Sequence, residues 1–267
     1  MKAYRSFFRI RFLNGLQYRA AAAAGVATQF AWGAMEILMF RAFYLAAPAS
    51  FPMGFEQLSA YVWLQQALLA LFAPWIFDGE IFEAITGGGV AYELIRPLDL
   101  YGMWFIKNLA MRLSRAVLRC APILLVAFAL PAPYGLSLPP DALALAAFAV
   151  TGALAALVVC AFCMLIYIST FYTLNPMGVR VVATSMTELL AGGLIPLPFM
   201  PDGLRMALEL TPFAGMQNLP LRAYSGELAG AALLRAAGLQ VFWLAALVAL
   251  GVSLMRAALR RVVVQGG

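Results

Sequence analysis

Histidine does not occur in the 267-residue chain, and lysine occurs only as Lys2 and Lys107. The first absence excludes histidine general-base catalysis and histidine metal ligation on this chain. Neither lysine sits in a GxxxxGK[ST] loop, so the chain cannot cradle nucleotide phosphates in the Walker manner. Cysteine is scarce as well: Cys120, Cys160 and Cys163 are the full set. Cys160 and Cys163 have CxxC spacing, but they stand in an apolar run without a second ligand pair and read as reduced structural thiols. No metal site and no catalytic constellation emerges from these residues. Charge is the largest deficit, since 11% of residues are charged where a soluble domain has roughly 25%. Apolar residues take their place, at 64% of the chain with a mean hydropathy of +0.88. That balance assigns the chain to a bilayer, and its net charge of +6 reports membrane orientation rather than a nucleic-acid partner.

A window of about 19 residues finds six candidate spans. They cover residues 20–45, 58–77, 115–130, 142–172, 181–197 and 238–254. Helices are expected, because the runs are continuously apolar and lack the period-2 alternation of barrel strands. The expected fold class is an all-α integral membrane protein with six transmembrane helices, a single transmembrane domain over residues 1–267. Basic residues orient it. With the N-terminus inside, Lys2, Arg5, Arg9, Arg11 and Arg19 fall on the cytoplasmic side, followed by Arg96, Lys107, Arg112, Arg115 and Arg119, then Arg180, Arg256, Arg260 and Arg261. The outer side keeps Arg205, Arg222 and Arg235, with Arg41 near the outer end of the first span. Both termini are therefore expected in the cytoplasm.

Residues 1–19 are too long and too basic for a cleavable signal. Phe8, Phe12, Leu16 and Arg19 at helical spacing suit an amphipathic helix on the inner leaflet, or simply a positive-inside anchor. The cytoplasmic loop over residues 78–114 is the most informative. It opens with Asp78, Glu80 and Glu83, breaks at Gly87, Gly88 and Gly89, and continues as "VAYELIRPLDLYGMWF". The glycines permit a sharp turn into a new helix, and Pro97 ends that helix near Arg96. Beyond it, Leu100, Trp104, Lys107, Met111 and Arg115 continue as an interfacial helix. Such a segment presents Tyr92, Glu93, Arg96 and Asp99 to another protein, or is a solvated loop between two spans.

The outer region, residues 198–237, is broken by Pro198, Pro201 and Pro212 and holds a short helix over residues 204–210. It reads as a re-entrant hairpin, with an amphipathic surface loop as the other reading. Two acids lie inside spans, Glu36 in the first and Glu188 in the fifth. Either can line a translocation path, or Glu36 and Arg41 can belong to a polar network that holds helices together. Gly152, Ala153, Ala156 and Ala161 make the fourth span suited to close helix contact.

Three stretches carry a family resemblance: "VAYELIRPLDLYGMWFIKNLAMRLSRAVLR", "GLIPLPFMPDGLRMALELTPFAGMQNLPLRAYSGEL" and "MRAALRRVVVQGG". The chain resembles, over essentially its whole length, the permease subunits of type-2 ATP-binding-cassette (ABC) transporters. The likeness is to their bacterial daunorubicin/multidrug-exporter-like branch. The resemblance implies a multi-pass protein of the bacterial inner membrane, with no cofactor on this chain and ATP and Mg held by partner ATPase subunits. Two ATPase copies and a second permease, identical or related, are the implied partners, together with membrane lipids and no nucleic acid. It also implies a coupling helix over residues 91–99, where Tyr92, Glu93, Leu94, Arg96, Pro97 and Asp99 contact the ATPase. One departure is that Thr86, Gly87, Gly88 and Gly89 stand where a more charged run is expected. The implied activity is export of a hydrophobic or amphipathic small molecule, lipid or peptide by alternating access. An ion-driven secondary transporter without an ATPase is the alternative, and it calls for more intramembrane acids than two.

Overall fold

Long apolar runs satisfy their backbone polar groups internally only as helices. Among residues 2–261, which the computed structural model of the chain describes, every regular element is helical. Met1 and residues 262–267, the last part of the C-terminal stretch quoted above, lie outside the described residues. In chain order the helices are α1 (Lys2–Gly15), α2 (Arg19–Ala46), α3 (Phe55–Ala67), α4 (Leu69–Phe72), α5 (Gly79–Thr86) and α6 (Val90–Leu94). They continue as α7 (Leu100–Ala129), α8 (Ala142–Thr173), α9 (Pro176–Leu190), α10 (Asp202–Glu209), α11 (Asn218–Tyr224) and α12 (Gly230–Leu259).

Two of these, α8 and α12, are long and apolar enough to cross a membrane, with mean hydropathies of 2.6 and 2.0 over their most apolar windows. The central element is α8. It packs against α12, α11, α7 and α9, and its middle, from Ala155 to Thr170, is largely buried. Asp141 starts it by accepting a hydrogen bond from the Ala144 N–H at 2.7 Å. Leu174, at φ +55°, ends it, and Asn175 then caps α9 by accepting from the Met177 N–H at 2.9 Å. One apolar core joins α5, α7, α8 and α12, and a second joins α2, α3 and α7. Large apolar side chains nevertheless stay exposed along α2, α7, α8, α9 and α12, including Phe43, Leu125, Leu143, Val182 and Leu234. Outward apolar surface on that scale marks contact with lipid or with another protein.

Several elements differ from the sequence expectation. The run over residues 58–77 is not one helix: α3 stops at Ala67, the four-residue α4 follows, and the chain is irregular through Pro74 to Asp78. The run over residues 181–197 starts earlier and stops at Leu190, because the chain turns at Gly192, which takes φ +79°. The separate interfacial helix expected after Pro97 does not exist. Residues from Leu100 onward form one 30-residue helix in which Leu100, Trp104 and Lys107 are buried. The last long helix also begins before residue 238, at Gly230.

Helix α1 lies along α7, and Gly15 leaves no room for a side chain between them. A Cβ on that residue would sit 2.1 Å from Ser114 Oγ and 2.6 Å from Ser114 Cβ. Gly15→Ala should therefore destabilise the protein by about 1–3 kcal/mol, the usual cost of overpacking. A double-mutant cycle with Ser114→Gly, followed by detergent unfolding, should recover much of that loss. Simple additivity of the two changes would contradict the contact.

Candidate functional site

Three groups of side chains organise the molecule between its N-terminal helix and its middle. The first is ionic. Buried Lys107 on α7 meets Asp78 Oδ2 at 3.3 Å and Glu80 Oε2 at 2.7 Å, and Arg11 of α1 shares Glu80 Oε2 at 3.0 Å. Asp78 also caps α5 through the Glu80 N–H, and its own N–H donates to the Tyr167 hydroxyl on α8 at 2.7 Å. Four helices are thus tied at one point. The Lys107 ammonium, bonded to the Glu80 carboxylate, holds that carboxyl below its ordinary value of 4.5, with Arg11 adding to the effect. A carboxyl lowered on folding contributes stability above its unfolded value and loses it as pH falls through the folded one. Glu80→Gln should accordingly flatten the acid limb of the stability profile below about pH 4.5. Because Glu80 is largely exposed, the change at neutral pH should stay under about 1 kcal/mol. An unaltered acid limb in a pH series of unfolding titrations would contradict the linkage.

The second group is the tip of the 78–114 loop. Helix α5 stops at Thr86, Gly88 takes φ +76°, and α6 occupies five residues before the chain turns through Pro97. A helix over residues 91–99 is therefore corrected to Val90–Leu94 plus a turn, since Pro97 bars the helical region at Arg96. The six residues singled out in this loop divide. Tyr92, Leu94, Arg96, Pro97 and Asp99 are exposed. Glu93 turns inward and accepts a hydrogen bond from Nε1 of fully buried Trp104. Asp99 N-caps α7 by accepting from the Gly102 N–H at 2.8 Å, while its N–H donates to the Tyr4 hydroxyl at 3.1 Å. Both acids hold the tip in place rather than presenting it. Ile95, which the sequence reading passed over, is 81% exposed beside Tyr92 at 76%. Its position three residues after Tyr92 was the available signal.

The third group surrounds the break in the second apolar run. Arg112, counted on sequence among the basic residues of the cytoplasmic side, is fully buried. Its Nη1 donates to the Ala73 carbonyl at 2.7 Å and the Ala70 carbonyl at 3.3 Å, and its Nη2 to the Ile76 carbonyl at 2.7 Å. Its Nε donates to Asn108 Oδ1 at 2.7 Å, and Cys163 Sγ lies 3.1 Å from Nη2. One guanidinium thus satisfies the carbonyls that the end of α4 and the following turn leave free. Cys160 and Cys163 are free thiols buried in α8, so the CxxC spacing is packing here. No group of three or more Cys, Asp or Glu side chains among the described residues is arranged to hold a metal ion.

Next to this break lies a cleft of about 730 Å³ between α2, α3 and α9. It brings together the two acids singled out inside apolar runs: Glu36 from α2 and Glu188 from α9. Gln29, Gln65, Gln66 and Arg119 share its lining, with Trp32 and Trp75. Arg41 is elsewhere. It forms no ion pair with Glu36 and instead places its guanidinium 4.7 Å from the centre of the Tyr134 ring. At the other end of the bundle Arg222 bridges Glu209 Oε1, at 2.5 Å, and Glu227, which fastens α10 to α11. Helix α11 itself is buried along its whole length, chiefly against α8.

No protein-family model matches this chain, and no curated protein matches it.

Proposed function

We propose that this chain is the permease subunit of an ATP-driven transporter of the ATP-binding-cassette type, worked by separate ATPase subunits. In this reading α2, α3 with α4, α7, α8, α9 and α12 make six spans of the bacterial inner membrane, with both termini in the cytoplasm. Helix α1 lies on the inner leaflet, α5 and α6 face the cytoplasm, and α10 and α11 dip into the outer side. The cargo is an exported amphipathic or hydrophobic molecule, and ATP and Mg stay on the partner. Two permease copies, identical or related, complete the assembly.

The observation that carries the proposal is the tip over residues 92–97: exposed apolar and aromatic side chains on a turn that is rigidly anchored. Trp104 grips it through Glu93, Tyr4 through Asp99, and Lys107 grips the helix before it through Asp78 and Glu80. Three of its anchors, Asp99, Trp104 and Lys107, belong to the start of α7, and Arg112 lies five residues beyond Lys107 on the same helix. A displacement at Tyr92 and Ile95 then reaches the carbonyls of residues 70–76, which Arg112 holds, and so the edge of the Glu36–Glu188 cleft. ATP binding shifts the transporter between its two states to the extent that the closed ATPase pair prefers one position of the tip.

The test is a tagged purification from native membranes in mild detergent, with mass spectrometry and subunit stoichiometry. A roughly one-to-one companion bearing a Walker-motif ATPase is expected. A chain that comes alone and shows no ATP dependence in vesicles overturns the proposal. The ion-driven alternative keeps one observation in its favour, the meeting of Glu36 and Glu188 in a single cleft. Transport abolished by an ionophore and indifferent to ATP would select it.

A further inference from the structure

The residues that line the cleft between α2, α3 and α9 carry buried polar atoms that no group among the described residues satisfies. Gln29 is 4% exposed, and neither its Nε2 nor its Oε1 has a partner among the described residues. Glu36 Oε1, Gln65 Oε1 and Arg119 Nε are in the same state. The other amide atom of Gln65 is committed, donating to the Gly193 carbonyl at 2.7 Å, so its side chain is held with the free oxygen in fixed orientation. A buried polar atom left unpaired costs about 1–3 kcal/mol. Native proteins keep few of them, and five around one cleft call for something that pairs with them.

The kind of atom decides what that is. Gln29 Nε2 and Arg119 Nε are donors, whereas Gln29 Oε1, Glu36 Oε1 and Gln65 Oε1 are acceptors when Glu36 is ionised. An ammonium group brings donors only and leaves Gln29 Nε2 and Arg119 Nε unmet. A phosphate or carboxylate brings acceptors only: it would suit Gln29 Nε2 and the Arg119 guanidinium but leave Gln29 Oε1 and Gln65 Oε1 unmet, and two acids, Glu36 and Glu188, line the cleft against that one arginine. A hydroxyl donates and accepts, so a head group with several hydroxyls can serve both kinds. Gln29 and Glu36 are seven residues apart on one helix, or about 10 Å at the helical rise. That separation suits two linked sugar rings better than one.

The rim agrees with this inventory. Trp32 is 61% exposed and Trp75 is 39% exposed, so two indole faces border the cleft. Such rings are amphipathic surfaces suited to the apolar face of a sugar. Beside them Met35 and Met39 stay exposed on α2, as adaptable apolar surface for a hydrocarbon tail.

We propose that this cleft binds an uncharged, polyhydroxylated head group carried on an apolar tail, in short a glycosylated amphiphile. The proposal rests on the permease reading for its meaning as cargo, whereas the binding itself requires no ATPase. Gln29 and Arg119 donate to hydroxyl oxygens, Glu36 and Gln65 accept from hydroxyl protons, and the tail lies along Met35 and Met39.

The test uses the full chain in phosphatidylcholine nanodiscs and isothermal calorimetry with three probes of equal tail length. These are octyl maltoside, octyltrimethylammonium and octyl phosphate, each below its micelle concentration. Saturable binding of the maltoside, at least tenfold tighter than either charged probe, is expected. Gln29→Leu should weaken it about tenfold, the loss of one good hydrogen-bonding group. Trp32→Ala alters an exposed side chain and leaves the fold intact, so it should weaken the maltoside even if Gln29→Leu fails to fold. Preference for the cation with loss in Glu36→Gln, preference for the phosphate, or no saturable binding of any probe overturns the proposal. Maltoside binding that neither variant changes does so too. An ATPase that co-purifies while the maltoside is not selected removes only this inference, and maltoside selection by a chain without an ATPase removes only the permease reading.

Discussion

Arg112→Met should leave little or no monodisperse protein after solubilisation, with a loss of stability of at least about 3 kcal/mol from the several acceptors it orphans. The side chain is fully buried, and its guanidinium reaches carbonyls at residues 70, 73 and 76 as well as the Asn108 amide. Methionine fills similar space but leaves those oxygens in a dry interior. Each orphaned group costs about 1–3 kcal/mol, against a typical total stability of about 5–15 kcal/mol. Arg112→Lys should recover only part of the loss. One ammonium has three donors on a single point, and it cannot reach Asn108, Ala73 and Ile76 together as the planar fork does. Unfolding titrations in sodium dodecyl sulfate, with size exclusion to follow dispersity, would measure both variants. A methionine variant within about 1 kcal/mol of the parent would mean that water or a rearranged turn replaces the guanidinium.

If the permease proposal holds, the double change Tyr92→Ala and Ile95→Ala should reduce capture of a partner ATPase more than about 100-fold. Interface anchors of this kind cost about 2 kcal/mol or more each when truncated. Both residues are largely exposed, so the amount and stability of the chain itself should stay within about 0.5 kcal/mol of the parent. Glu93→Ala should behave in the opposite way. It strips the buried Trp104 Nε1 of its acceptor and should cost about 1–3 kcal/mol of stability. Any loss of ATPase binding in that variant should follow the loss of fold. Paired measurements of unfolding and of ATPase pull-down separate the two cases. If the double variant still captures the ATPase at the parental level, the tip is not the docking surface.

These residues also show why the loop over residues 78–114 is legible in outline and not in detail. Its position between apolar runs, its glycine break and its proline stop are local features, and each has a local cause. Whether Glu93 faces out or in depends on Trp104, eleven residues away on another helix, and no periodicity connects the two. Asp99 is exposed, but its carboxylate is engaged, because it stands just before a 30-residue helix whose first N–H groups need a cap.

The sequence by itself determined the all-helical class and the extent of the most regular helices. Ala142–Thr173 follows from an uninterrupted apolar stretch, and Arg19–Ala46 from a mainly apolar one that carries Glu36 and Arg41. Tertiary structure alone decided three things. It buried Arg112, which the charge pattern could place only on one side of the membrane, because the broken backbone at residues 70–76 needs donors more than the guanidinium needs water. It turned Glu93 inward to meet an indole N–H. It also brought Glu36 and Glu188, 152 positions apart, to one cleft with unpaired amides beside them. The physical reason is common to all three. Helix formation is settled by the order of neighbouring residues, whereas the pairing of buried polar groups is settled by whichever distant segment packing brings within hydrogen-bonding reach.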